Sequence, residues 1–250
     1  MAGGAGRWRA ALAVVLALAA SVARADTVIV GARFTDPTTR YDHGVLGDAV
    51  EYGALTLDLL VSPPGGLGAT TRRSVTFRLP RDRVFEDLAP RLVDVSGDGA
   101  PEVLVVETQV DKGAQLAVYA PIGKVAATPP IGKTHRWLAP LGAADLDGDG
   151  RIELAYIDRP HLAKTLVVWR YDYGRLRKVA EKPGLTAHRI GDGFISGGIR
   201  RCRAGVEIVT PSADWASVMA TRLERGRLIS RRLGPYKNRW SLRRALDCRM

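Results

Sequence analysis

Two acidic, glycine-rich stretches offer the clearest chemistry in this sequence. They read "DVSGDGAPE" and "DLDGDGRIE", and each is followed by an apolar run. In the second stretch Asp145, Asp147 and Asp149 alternate with other residues, and Gly150 permits a sharp bend. Ca²⁺ takes roughly six to eight oxygen ligands, and alternating carboxylates on a tight loop can supply them. The spacing therefore favours a calcium loop.

The candidate ligands occupy matching positions in the two stretches. They are Asp145, Asp147, Asp149, the Arg151 carbonyl and Glu153 in one, and Asp94, Ser96, Asp98, the Ala100 carbonyl and Glu102 in the other. Because a serine replaces one carboxylate in the first stretch, we expect it to be the weaker calcium site. The alternative for either stretch is an acidic turn that is hydrated by water.

An EF-hand begins with similar acidic spacing, but it requires a glutamate at position 12 and flanking helices. Position 12 is Val105 in the first stretch and Tyr156 in the second, and both lie in apolar, strand-like runs. The sequence therefore excludes an EF-hand.

The elements that position these loops belong to an internal repeat. Asp94 aligns with Asp145 at an offset of 51, and "LAVYA" at 116–120 aligns with "LVVWR" at 166–170. A third, degenerate copy contains "GVEIVT" at 205–210, where the earlier copies have "APEVLV" and "RIELAY". A period near 50 over at least three copies indicates a repeat architecture.

Each copy consists of short runs rich in β-branched and aromatic residues, separated by turn signals. Periods of about 40 to 50 residues with about four strands are typical of propeller blades. We therefore predict an all-β, propeller-like domain over 26–250, with about four blades of four-stranded antiparallel sheet. The predicted blades are 27–83, 84–134, 135–188 and 189–235, followed by a tail at 236–250.

The acidic loops resemble those of VCBS or FG-GAP repeats, which form the blades of integrin α propellers and of exported bacterial proteins. The resemblance rests on "DLDGDG" followed by Glu153 and the strand "LAYI", and it covers about 88–180 well. It implies that the calcium ions are structural. The FG and GAP half-motifs are not convincing, and about four blades fit in this chain instead of the seven of integrins.

The third copy has "FISGGIRRCRAG" where the aspartates stand in the others, and it contains Cys202. The only other cysteine is Cys248. In an exported chain an even number of cysteines favours a disulfide, which would hold this loop where a metal holds the other two. Two free buried cysteines are the alternative.

Export is predicted from the first 25 residues, which have a basic start, an apolar run and a small-residue ending. Cleavage after Ala25 would give a secreted or periplasmic chain without a transmembrane segment. The formal charge of +11 would fall to +8, because Arg7, Arg9 and Arg24 would be removed. This balance favours anionic partners, such as an envelope polymer, although scattered arginines also suit an ordinary solvated surface. Nothing in the pattern specifies nucleic acid.

Catalysis is not indicated by any familiar motif, and no catalytic residue is assigned. Of the four histidines, His135 and His188 occupy equivalent repeat positions, which argues for structural roles, and His161 lies in a turn. His43 has Asp42 and Asp48 nearby and is the best candidate for a general base. The sequence therefore favours an extracytoplasmic binding or interaction module, bound to an unknown protein or polymer. A hydrolase that uses dispersed loop residues including His43 is the alternative.

Overall fold

Strands dominate the structure, as the sequence predicts. The computed structural model describes residues 26–66 and 68–250, so the predicted signal peptide lies outside the described residues. Of these residues, 54% are in strands and 4% in helix, and the strands form three antiparallel sheets. The all-β class is therefore confirmed.

The first unit contains four strands and a short 3₁₀ turn. Its elements are β1 (Asp26–Thr38), β2 (Glu51–Ser62), the 3₁₀ turn (Pro64–Gly66), β3 (Thr71–Arg78) and β4 (Arg83–Phe85). The strand β2 is central, because β1 and β3 pair antiparallel with it on either side.

The next three units are four-stranded antiparallel meanders, in which each strand pairs with the next along the chain. The second unit contains β5 (Arg91–Val93), β6 (Glu102–Gln109), β7 (Gly113–Ala120) and β8 (Gly123–Ala127). The third contains β9 (Leu138–Ala144), β10 (Glu153–Asp158), β11 (Thr165–Asp172) and β12 (Arg175–Pro183). The fourth contains β13 (Gly198–Cys202), β14 (Gly205–Pro211), β15 (Ser217–Glu224) and β16 (Arg227–Pro235).

The first two units are joined into one sheet, which differs from the four separate sheets expected. The short strand β4 pairs with β2 through Tyr52 and Phe85, and it also pairs with β6. The result is one eight-stranded sheet and two four-stranded sheets. No closed barrel or propeller is found among the described residues.

A bulge in the third strand recurs in three units, at equivalent positions in the second and third units and two residues earlier in the fourth. The register shifts directly after Val118 in β7, after Val168 in β11 and after Val218 in β15. A bulge increases local twist and bends the strand. These units therefore share a local distortion as well as an order of strands.

Two apolar clusters lie on opposite faces of β6 and β7. Leu104 and Val106 belong to the larger cluster, which extends into the third and fourth units, whereas Val103 and Val105 pack against the first unit. Side chains alternate between the faces of a strand, so a strand that is buried on both faces needs a continuous apolar run. This requirement explains the run at 103–106 and places the second unit at the centre of the core.

The tail ends in a helix, α1 (Arg239–Leu246), whose N-cap is Asn238. Leu242 and Ala245 pack into a small cluster with Val209 and Val218. The predicted disulfide is confirmed: Cys202 is bonded to Cys248 across 46 residues. No helix in the described part of the chain is long and apolar enough to cross a membrane.

We expect the Cys202→Ser/Cys248→Ser variant to lose about 4 kcal/mol of unfolding free energy, because the bridge closes a long loop in the unfolded chain. Urea unfolding followed by circular dichroism measures this loss. An unchanged midpoint would contradict a stabilising role for the disulfide, and wild-type protein in reducing buffer is the control for the substitutions themselves.

Candidate functional site

The second acidic loop connects β9 to β10 and is closed by the pairing of Ala144 with Glu153. Within it, the Asp145 carboxylate accepts hydrogen bonds from the backbone N–H groups of Gly148 and Gly150, at 2.7 and 3.0 Å. Both glycines have positive φ, near 81° and 84°. A side chain at either position would be strained, which explains the glycine spacing.

This loop brings three aspartates together. Carboxylate oxygens of Asp145, Asp147 and Asp149 all lie within 4.8 Å of one another. Among residues 26–66 and 68–250, they form the one group of three or more His, Cys, Asp or Glu residues that meets this distance. Hard carboxylate oxygens of this kind suit a hard divalent cation. The cluster could therefore bind a metal ion.

Arg170 on β11 also reaches into this loop. Its guanidinium contacts Asp147 at 2.7 Å, Asp149 at 2.8 Å and Glu153 at 2.6 Å. The backbone N–H of Arg151, helped by the Arg170 charge, lowers the pKa of Asp149. One internal positive charge thus offsets part of the negative charge that a bound cation would meet.

The glutamate at the ninth position of the loop is turned towards the protein. Glu153 is fully buried, with one oxygen accepting the Leu146 N–H at 2.9 Å and the other contacting Arg170. Burial raises its pKa, whereas these two partners favour the ionised form. The chemistry seen here is loop anchoring, and a ligand role for Glu153 stays a prediction.

The first acidic loop, between β5 and β6, repeats the same hydrogen bonds. Asp94 accepts the N–H groups of Gly97 and Gly99, at 2.7 and 2.9 Å. Glu102 accepts the N–H groups of Val95 and Ser96, at 2.8 and 3.1 Å.

Two differences distinguish the first loop from the second. Ser96 replaces an aspartate, and Ala120 stands where the third unit has Arg170. The first loop therefore lacks both one carboxylate and the arginine that offsets charge in the second. Ligand roles for Asp94, Ser96, Asp98, Ala100 and Glu102 stay predictions.

The fourth unit replaces the acidic loop with a hairpin. Cys202 pairs with Gly205, which leaves two residues in the turn and no space for an eight-residue loop. The equivalent glutamate, Glu207, contacts three arginines, Arg200, Arg222 and Arg231. Burial opposes its ionisation, but the hydrogen bonds from Arg200 and Arg231 lower its pKa. In this unit guanidinium groups take the place of the loop N–H donors.

A second site, which we call the histidine centre, brings together His43, His135, His161 and His188. The rings of His43 and His135 stack with centroids 5.0 Å apart, and the rings of His161 and His188 are 5.2 Å apart. His43, His135 and His161 line one cavity of about 20 Å³, which is room for about one water molecule. The sequence predicted separate roles for these residues, and the structure corrects that prediction.

Hydrogen bonds orient each ring in the histidine centre. His188 Nε2 lies 2.7 Å from the Asp192 carbonyl, so it carries the proton, and Nδ1 accepts from His161 Nε2 at 3.0 Å. His43 Nδ1 faces the Glu86 carboxylate at 2.5 Å. His135 Nε2 faces Asp42 at 2.8 Å. In the neutral tautomers that match these contacts, a lone pair is left on His43 Nε2, His135 Nδ1 and His161 Nδ1.

Two buried acids stand beside this centre. Glu86 is fully buried and also accepts a hydrogen bond from Thr108 at 2.6 Å, and burial raises its pKa. Burial, together with the nearby charges of Glu86 and Asp48, raises the pKa of Glu51 to about 9. Glu51 is therefore protonated at neutral pH, which avoids two adjacent buried charges.

Sequence reasoning missed Glu86, Glu51 and Arg170 as members of these sites. Glu86 lies 43 residues after His43, and no local spacing connects them. Arg170 could have been suspected from the repeat alignment, because it is a charged residue at the position where the second unit has Ala120. In the structure it pairs with Glu153 between the adjacent strands β10 and β11. Proximity of Asp48 to His43 in the sequence was misleading, since Asp48 bonds instead to the Val50 N–H.

Comparisons with known proteins do not assign this chain, since no protein-family model matches it and a search of curated proteins finds no match.

We expect the free energy of unfolding to fall as the pH drops from about 6.5 to about 4, partly because of His161. Burial, helped by the charges of His188 and Lys164, lowers the pKa of His161 to about 4, whereas the unfolded chain takes up its proton near 6.5. Protonation in that window therefore favours unfolding. Urea midpoints across it, compared with those of His161→Gln, measure the contribution. Equal pH slopes for the two proteins would contradict it.

Proposed function

We propose that this chain is an exported, propeller-like binding module of the VCBS or FG-GAP type, stabilised by calcium at its acidic loops. The observation that carries the proposal is the convergence of Asp145, Asp147 and Asp149 within a loop that connects two strands of a repeated unit. The repeated bulge and the matching loop hydrogen bonds support a blade-like unit. The confirmed disulfide and the absence of a membrane-spanning helix in the described residues are compatible with an extracytoplasmic protein.

In this proposal calcium has a structural role. Asp145, Asp147, Asp149 and the Arg151 carbonyl would hold the ion in the second loop, with Glu153 anchoring the loop from its inner side. The matching residues Asp94, Ser96, Asp98 and the Ala100 carbonyl would form the first site, with Glu102 anchoring that loop in the same way. Binding would then offset the repulsion between carboxylates and connect each pair of strands more rigidly.

We expect a calcium chelator to lower the melting temperature by about 5 to 10 °C, because a ligand at a hundred times its Kd adds about 2.7 kcal/mol of stability. The Asp149→Ala variant should lose most of this response, and Asp98→Ala should lose less. Differential scanning calorimetry in calcium and in chelator measures both.

The Arg170→Gln variant is the matched control for charge. The Arg170 guanidinium contacts Asp147 and Asp149, so its removal should tighten calcium binding and lower the stability of the protein in chelator. If the melting temperature of the wild type is the same in calcium and in chelator, this result would falsify the calcium proposal.

The binding role is tested by capture from the native envelope at two salt concentrations, with and without calcium. An anionic polymer partner predicts capture that weakens steeply as salt rises, since exposed charges are screened within roughly 10 Å. A protein partner held by an apolar surface predicts capture that resists salt. Equal recovery with heat-denatured wild-type protein would mean that the folded module is not required.

A hydrolase is the second candidate, and the histidine centre supports it. The Glu86 carboxylate holds His43 Nδ1, so the free Nε2 could take a proton from a water molecule in the adjacent cavity as its oxygen attacks an ester carbon. The proton would then pass to the departing alcohol. His135 and His161 line the same cavity and could help to orient that water.

We expect wild-type protein to hydrolyse p-nitrophenyl acetate above the buffer rate if this candidate is correct, and His43→Gln to lower that rate by about 10² or more. Release of p-nitrophenol measures it. The Arg72→Gln variant, on the distant strand β3, is the control for surface charge. A wild-type rate equal to that of buffer, or equal rates for the wild type and His43→Gln, would exclude the hydrolase candidate.

A further inference from the structure

A groove of about 570 Å³ lies between α1 and the residues that precede β13. Ile195, Leu242 and Leu246 supply apolar lining, and Phe194 and Trp240 supply aromatic rings. Small-molecule sites are commonly roughly 300 to 1,000 Å³ and are mostly apolar with a few polar groups. The size and lining of this groove therefore suit a small organic ligand.

Two positioned guanidinium groups also line this groove. Arg239 lies over the Phe194 ring at 4.8 Å, and Arg243 lies 5.9 Å from the centre of the Trp240 ring. Within residues 26–66 and 68–250, neither arginine forms an ion pair with a carboxylate. Stacking on an aromatic ring orients a guanidinium without neutralising it. Both charges therefore remain available to an anion.

The groove is held in shape before any ligand arrives. The disulfide attaches the end of α1 to β13, and Arg200 donates to the Ala245 carbonyl at 2.5 Å. Leu242 is buried against the fourth unit. A ligand would therefore spend little of its binding free energy on ordering the protein.

The surrounding charge also favours an anion. The segment 237–250 contains five cationic side chains, Lys237, Arg239, Arg243, Arg244 and Arg249, and a single acid, Asp247. Asp247 lines the groove as well, so it reduces the attraction without cancelling it. A positive potential over a mixed apolar groove selects a ligand with one negative head and one apolar body.

We propose that this groove binds a medium-chain carboxylate, with its head at Arg239 and Arg243 and its alkyl chain on Ile195, Leu242 and Leu246. A membrane surface is less suited, because Leu242 and Ala245 pack into the protein and Trp240 is the one large hydrophobic side chain that α1 exposes, which is too little to insert into a bilayer. A polyanion would use the guanidinium groups and leave the apolar lining in water. The site does not depend on calcium, so it goes beyond the binding role proposed above.

Isothermal titration of the disulfide-bonded protein with octanoate tests this proposal. Octanoate should bind, hexanoate should bind about fifteenfold more weakly because two buried CH₂ groups are lost, and acetate and octylamine should not bind. Comparable heats from octylamine, or from acetate, would overturn the proposal, as would no octanoate binding up to millimolar concentration.

Variants locate the site and separate it from a general charge effect. Arg239→Gln/Arg243→Gln should weaken octanoate binding about tenfold or more, and Asp247→Asn should strengthen it about two- to threefold. Arg72→Gln/Arg73→Gln on β3 removes the same charge elsewhere and should leave binding unchanged. Equal losses from the two double variants would overturn the proposal. If the first double variant melts early, Arg243→Gln alone, which should weaken binding about threefold or more, provides the same test.

Two further probes test whether a polyanion or a membrane occupies this groove instead. Polygalacturonate and vesicles that contain an anionic phospholipid should not displace octanoate at moderate salt. Displacement by the polymer would assign the surface to a polyanion, and displacement by vesicles would assign it to a membrane. Either result would overturn the fatty-acid proposal.

Discussion

A carboxylate at the start of the second strand holds each of the three meander units together. Glu102 accepts two loop N–H groups, Glu153 accepts one loop N–H and a guanidinium, and Glu207 contacts three guanidinium groups. A buried carboxylate is costly unless it is fully hydrogen-bonded. The partners of this one side chain therefore differ with the preceding connection: they include loop N–H groups where it is a long acidic loop, and they are guanidinium groups where it is a two-residue hairpin.

The same constraint changes the meaning of the basic composition. Several cations form ion pairs with buried acids: Arg83 and Lys124 contact Glu107, and Arg91 contacts Asp87. A net charge counted from the sequence treats all of these as surface charge. Cations without an acidic partner in the described residues, such as Arg239 and Arg243 on α1, are the ones left to contribute to the surface charge.

Local patterns predicted much of this structure. The repeat near 50 residues, the strand-rich units and the cysteine pair each depend on residues close in sequence or on simple counting, and the structure contains them. The histidine centre could not be predicted in that way. His43 contacts Glu86 43 residues later and His161 contacts His188 27 residues later, and no local spacing connects either pair. The equivalent repeat positions of His135 and His188 even pointed away from a shared site, since a repeat argument takes each unit alone.

The short strand β4 lies between β2 and β6 and is shared by two units. This placement means that the repeat boundary in the sequence is not a boundary in the sheet. A chain divided there would leave Glu107, Thr108 and Gln109 of β6 without a neighbouring strand, and open strand edges pair readily with other chains. Duplication or loss of whole units during evolution is therefore easier in the second half of the chain, where each sheet contains its own four strands, than in the first.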